Sequence, residues 1–216
     1  MNDSYLLPEA HRDYVDEWEL KRSRFLTTAR RVMNENEARE FIDEIKATYP
    51  DANHNCSAYY YHVEGSNPVE RSSDDGEPSG TAGRPMLEQL KGSGMCDIAV
   101  VVTRYFGGVK LGAGGLVHAY SESVGRVLPQ IPRVRRSLRA LYTVEFEHAD
   151  AGQKEAELRA RGIHILDVSY GARATYTLAV APDEAAELAD TLATLTQGQV
   201  VPVEAGTAWV EHRSNH

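Results

Sequence analysis

The sequence predicts an α+β protein in two parts. Three observations carry this. Strand-like segments mix with three helical patterns up to Val127, prolines bracket a break at Leu128–Arg136, and a regular strand–helix–strand–strand–helix–strand order follows from Ser137. The 216 residues are long for one domain, and a composition of 42% hydrophobic and 25% charged residues is ordinarily globular, with enough apolar surface for cores. The expected domains are 1–132 and 137–216. Cys56 and Cys96 are the two cysteines, and the start lacks the basic-then-apolar pattern of a signal peptide, so a reducing cytoplasm is the expected compartment. No apolar run is long enough to span a membrane.

In chain order, Trp18–Val32 alternates through Trp18, Leu20, Phe25 and Thr27 as a first strand. Asn34 or Asn36 then caps a helix whose apolar stripe is Ala38, Phe41, Ile42 and Ile45, ended by Pro50 and Asp51. Asn53–His62 resumes strand character, with Val63–Glu70 a polar loop. On that strand His54 and Cys56 face the same side, and without further ligands they suit structural roles better than zinc. The loop Ser72–Arg84, SSDDGEPSGTAGR, leads to a helix starting near Thr81, with Pro85 in its first turn and Met86, Leu87 and Leu90 inward. Asp97–Thr103, DIAVVVT, is a buried strand. Beyond it lie the glycine-rich run Arg104–Leu116 and a helix with Leu116, Tyr120, Val124 and Val127 on one face.

The break at Leu128–Arg136 is the expected linker. In the second part, Ala140–Phe146 alternates as a strand, and a helix follows through Ala156, Leu158 and Ala160 until Gly162. Two strands meet at Gly171, a helix carries Leu188, Leu192 and Leu195, and Val200–Val210 supplies the last strand. This is the order of a ferredoxin-like split βαβ unit, and nothing in it clusters as a catalytic set.

Gly107, Gly108, Gly112, Gly114 and Gly115 are more glycines than one turn requires. With Gly114 and Gly115 at a helix N-terminus, unpartnered backbone N–H groups and the helix dipole suit an anion such as phosphate, and Arg104 and Lys110 add charge. The same glycines also suit a hinge that only packs helix on sheet. Asp74, Asp75 and Glu77 carry oxygen ligands for a hard cation, but three neighbouring carboxylates more often form a solvated turn with a cap, so no metal is expected. A net charge of −9 argues against coating nucleic acid by bulk attraction. Its distribution weakens the objection, with 17 basic against 20 acidic residues up to Arg136 and 6 against 12 beyond. Basic clusters stand at Lys21, Arg22 and Arg24, at Arg30 and Arg31, and at Arg133, Arg135 and Arg136.

The combination of DDGEPSGTAGRP at Asp74–Pro85, VVTRYFGGVKLGAGGL at Val101–Leu116, KRSRF at Lys21–Phe25 and HNCSAY at His54–Tyr59 resembles the YigZ/IMPACT family along essentially the whole chain. Asp74, Asp75, Gly76, Glu77, Pro78, Gly80, Thr81, Gly83, Arg104, Tyr105, Gly107, Gly108, Lys110, Gly112 and Gly115 stand where that pattern has them, while Asn53 departs from a Thr. The resemblance implies a first domain with the fold of the second domain of a small-subunit ribosomal protein and a second domain resembling elongation factor G domain V. Eukaryotic relatives are implicated in translational control through a partner that activates an initiation-factor kinase, but the extra N-terminal interaction domain they use is missing from this sequence. No catalytic activity and no cofactor is implied, and kinship of fold to small-molecule kinases is analogy only.

These readings combine into a non-enzymatic cytoplasmic regulator of translation that binds RNA or the ribosome. Arg104, Lys110 and the amides of Gly107, Gly108, Gly112, Gly114 and Gly115 would meet phosphate, and Tyr105 and Phe106 would stack on bases. Asp74, Asp75, Gly76, Glu77, Ser79, Gly80, Thr81 and Arg84 form the accompanying motif loop. Two alternatives stand beside it: an enzyme acting on a phosphorylated small molecule with metal on Asp74, Asp75 and Glu77, and a protein-interaction module.

Overall fold

The computed structural model describes residues 4–213. The protein has a mixed α/β fold of two compact units, one running through Arg135 and the other Arg136–Glu211.

In the first unit a sheet forms from β2 (Asp13–Leu20), β3 (Ser23–Arg31), β4 (His54–Tyr61), β5 (Val69–Ser73) and β6 (Ile98–Tyr105), after a short β1 (Ser4–Pro8). Its order is β2-β3-β6-β4-β5, antiparallel throughout. The helices are α1 (Glu35–Thr48), α2 (Gly83–Gly92) and α3 (Gly112–Val127). Central β6 is apolar from Ile98 to Val102 because both its faces are covered. Ile98, Val100 and Val102 pack with Met86 and Leu90 of α2 and Tyr120 and Val124 of α3, while Ala99 and Val101 pack with Ala38, Phe41 and Ile45 of α1. Asn34 is the cap of α1, accepting from the Glu37 N–H at 3.0 Å.

The expected single strand Trp18–Val32 is instead the β2–β3 hairpin, paired from Asp13↔Arg30 to Leu20↔Ser23. Its turn is Lys21–Arg22, with φ of +48° and +66°. Such a two-residue turn usually declares itself through Asn-Gly. Here two long cations hold the left-handed conformation, so alternation runs on past the reversal. The polar loop also ends sooner than expected, since β5 begins at Val69. The helix after the glycine run begins at Gly112, a turn earlier than Leu116.

The expected linker is ordered structure. Leu128–Gln130 forms a 3-10 turn, β7 (Arg133–Phe146) begins three residues on, and Leu128, Ile131 and Val134 are buried. The prolines, themselves exposed, restrict φ and remove donors while the apolar residues between and beside them stay buried. In this part the Glu9 N–H donates to the Pro132 carbonyl, which keeps the start of β7 with the first unit.

The second unit adds α4 (His148–Ala160), β8 (His164–Tyr170), β9 (Ala174–Val180), α5 (Ala185–Thr196) and β10 (Val203–Arg213). With β10 and β9 flanking β7 and β8 outside β9, the order is that of the split βαβ expected from the sequence. Val144, Phe146, Tyr176, Leu178, Leu158, Leu188 and Leu192 make its core.

Candidate functional site

Each carboxylate of the motif loop has its own donors. Asp74 accepts the N–H groups of Ala82 and Gly83 on Oδ1, at 3.0 and 2.8 Å, and that of Gly80 on Oδ2 at 2.8 Å. It thereby closes the N-terminus of α2, whose N-cap residue Ala82 provides no side-chain cap. Burial pushes the Asp74 carboxyl up, but the N–H groups of Gly80, Gly83 and Ala82 outweigh it and hold its pKa below the usual aspartate value. Asp75, at φ +45°, accepts from Lys46 Nζ at 2.8 Å and from the Asn55 N–H at 2.7 Å, and its pKa is likewise lowered against burial.

Glu77 is buried. It meets the Arg104 guanidinium at 2.5 Å and the Tyr120 hydroxyl at 2.8 Å, with His54 Nε2 3.8 Å away. The three carboxylates therefore face separate donors, and among the described residues no three His, Cys, Asp or Glu gather as a metal set. His54 and Cys56 do share a side of β4, bonding to the successive carbonyls of Asp75 and Asp74 at 2.9 and 3.0 Å. Burial pushes the Cys56 thiol up to about 12, as it does that of Cys96, so neither is a thiolate at neutral pH.

Arg104 is displaced from its expected role. The residue is 5% exposed, and its guanidinium points inward to Glu77 and Ser23, not outward to phosphate. Tyr120 and Ser23 complete this buried cluster and escaped the sequence reading. The available signal was a tyrosine on an otherwise apolar helix face, since a buried hydroxyl needs a partner. Burial foremost, with Cys56 and Glu77 beside it, raises the Tyr120 pKa and keeps the hydroxyl a donor.

The remaining loop residues lie outside the core. Phe106 is 45% exposed, Val109 and Val117 are exposed, and Lys110 is open to solvent. The Phe106 N–H donates to Asn53 Oδ1 at 2.7 Å, so the departure at Asn53 still supplies an acceptor. Tyr105 is only partly available: Arg24 lies over its ring at 4.6 Å and its hydroxyl donates to Asp51. Gly108 and Gly112 have φ of +84° and +74°. Gly107 answers to packing, because a Cβ there would fall 1.9 Å from the Arg22 carbonyl oxygen. Gly114 is helical with nothing within 4 Å of such a Cβ, and Gly115 would meet only Leu111. The first turn of α3 has no side-chain cap. In the other loop Ser79, Gly80 and Arg84 are exposed, Gly76 and Gly80 adopt positive φ, and Thr81 bonds back to the Pro78 carbonyl at 2.6 Å.

The model of the Impact N-terminal domain matches residues 21–128, from the hairpin turn to the end of α3. A relative from Bacillus subtilis, IMPACT family member YvyE, is 40% identical over 91% of this chain and 90% of its own. This chain belongs to the IMPACT family. Its second unit matches, at residues 144–199, a domain of unknown function, DUF1949. The family member YigZ from Escherichia coli is 36% identical over 92% of this chain and 96% of its own. A crystal structure of a hypothetical protein, 35% identical, covers 95% of this chain and 98% of its own with a TM-score of 0.60. Both loops and the buried Glu77–Arg104–Tyr120 cluster fall inside the Impact N-terminal match.

Proposed function

We propose that this protein is a non-enzymatic, cytoplasmic regulator of translation that binds RNA or the ribosome through its glycine-rich loop. The observation that carries this is the uncapped first turn of α3 beside Lys110 and the exposed Phe106 ring. Backbone N–H groups at that turn have no partner within the helix, the dipole adds partial positive charge, and Lys110 adds a full one. Phe106 offers an apolar face to an unpaired base. Family membership supports the reading through the translational control implied by the sequence resemblance. Arg104 steadies the loop from below instead of touching the ligand. The fold kinship to a ribosomal-protein domain and to elongation factor G domain V belongs to the same proposal.

The exposed Phe106, Val109 and Val117 also favour a protein partner on this surface. The enzyme alternative gains nothing from Asp74, Asp75 and Glu77, which are held by backbone, Lys46, Arg104 and Tyr120. Binding of labelled RNA to the full chain, titrated with salt, tests the proposal. Lys110→Ala should remove one phosphate contact and reduce the log–log salt slope by ~0.7. No binding by the parent at low salt would overturn it, and capture from lysate that survives ribonuclease would favour the protein partner.

A further inference from the structure

The β2–β3 turn presents two cations in a conformation that suits neither. Lys21 and Arg22 sit at φ +48° and +66°, the left-handed region that residues with a side chain rarely adopt. Asn-Gly would make the same turn without that strain. Both side chains are exposed, and among the described residues no carboxylate pairs with Lys21, Arg22 or Lys110.

The turn is also locked to the glycine loop. Gly107 lies so close to the Arg22 carbonyl that no side chain fits between them, its N–H reaches Ser23 Oγ at 3.4 Å, and Arg24 covers the Tyr105 ring. The Lys21–Arg22 turn is thus set against Gly107, next in the chain to Phe106 and three residues before Lys110, on two segments distant in sequence. Two acids beside Arg24 and Tyr105 are engaged, Glu17 with Arg24 at 3.5 Å and Asp51 with the Tyr105 hydroxyl, while Glu19 faces Arg24 in the register.

From this juxtaposition we infer that the Lys21–Arg22 turn is the second half of the binding surface, and that its ligand is an unpaired RNA strand. This rests on the RNA reading above. The exposed cations of the turn and of Lys110 suit successive phosphates of a strand whose base is turned onto Phe106, a half-exposed ring with the Arg104 guanidinium 5.5 Å from its centre. A duplex keeps its bases stacked inside and would leave the ring in water.

The test uses the full chain, a fluorescent oligouridylate, an RNA hairpin stem and a polyglutamate peptide. Lys21→Asn with Arg22→Gly should keep or raise the melting temperature, because the turn is relieved, while the salt slope for oligouridylate shrinks by ~1.4. Phe106→Ala should weaken the oligouridylate and leave the stem unchanged. If the parent and Lys110→Ala behave as the RNA reading requires but the turn variant binds like the parent, the inference fails and that reading stands. If the parent binds no RNA, both fail. Tighter binding of the stem, or equal binding of polyglutamate, overturns the single-strand assignment.

Discussion

Glu77 and Arg104 are 27 residues apart in the chain and meet in a place where water does not compensate either charge. Removing one member of such a pair leaves the other buried and unpaired, so Glu77→Ala should cost about 3–5 kcal/mol in urea unfolding. A loss below ~1 kcal/mol would mean that the ion pair does not hold the two loops together. The glycines separate in the same way. Gly107→Ala must push the Arg22 carbonyl aside and should destabilise by about 1–3 kcal/mol, whereas Gly114→Ala fills open space in a helix and should gain up to about 1 kcal/mol. Equal melting temperatures for the two variants would refute that division. The sequence shows five similar glycines, and only the neighbouring backbone distinguishes the one that packs from those that turn.

At the scale of elements, α2 depends on a carboxylate eight residues before its cap at Ala82. The Asp74 pKa is lowered in the fold, so its stabilising effect is complete above the ordinary value near 3.8 and is lost as pH falls through the lower folded value. Asp75 acts in the same direction. Acid unfolding should therefore begin below about pH 4. Asp74→Asn should be less stable at pH 7 and show a shallower fall of stability with acid, and an unchanged acid slope measured by denaturant titration would contradict the assignment. The acidic turn was legible as a cap, but its helix partner was not, because Asp74 caps from outside the helix. The hairpin was hidden for a related reason, since a left-handed Lys-Arg turn carries none of the residues that ordinarily mark a reversal.

At the scale of the molecule, the two units keep separate apolar cores, with no residue common to both among the described residues. We expect a fragment spanning 136–216 to melt cooperatively by itself, and a broad, non-cooperative transition in circular dichroism would count against independent folding. Limited proteolysis should spare 128–136 in the folded protein, because Leu128, Ile131 and Val134 are buried there. Early cutting in that segment would contradict this.

Local pattern alone determined much of this protein. The βαββαβ order of the second unit, the buried β6, the stripes of α1 to α3 and the motifs that place the chain in its family are all properties of neighbours in sequence, written in spacing and turn residues. Tertiary structure decided the roles. Charge and position after a strand suggest Arg104 as a phosphate ligand, yet burial beside Glu77 turns it inward, since a desolvated guanidinium requires an anion within reach. Lys21 and Arg22 look like any solvated basic run until the fold sets their turn against Gly107. Which cation faces water depends on contacts across the sheet, and those contacts are long-range in the chain.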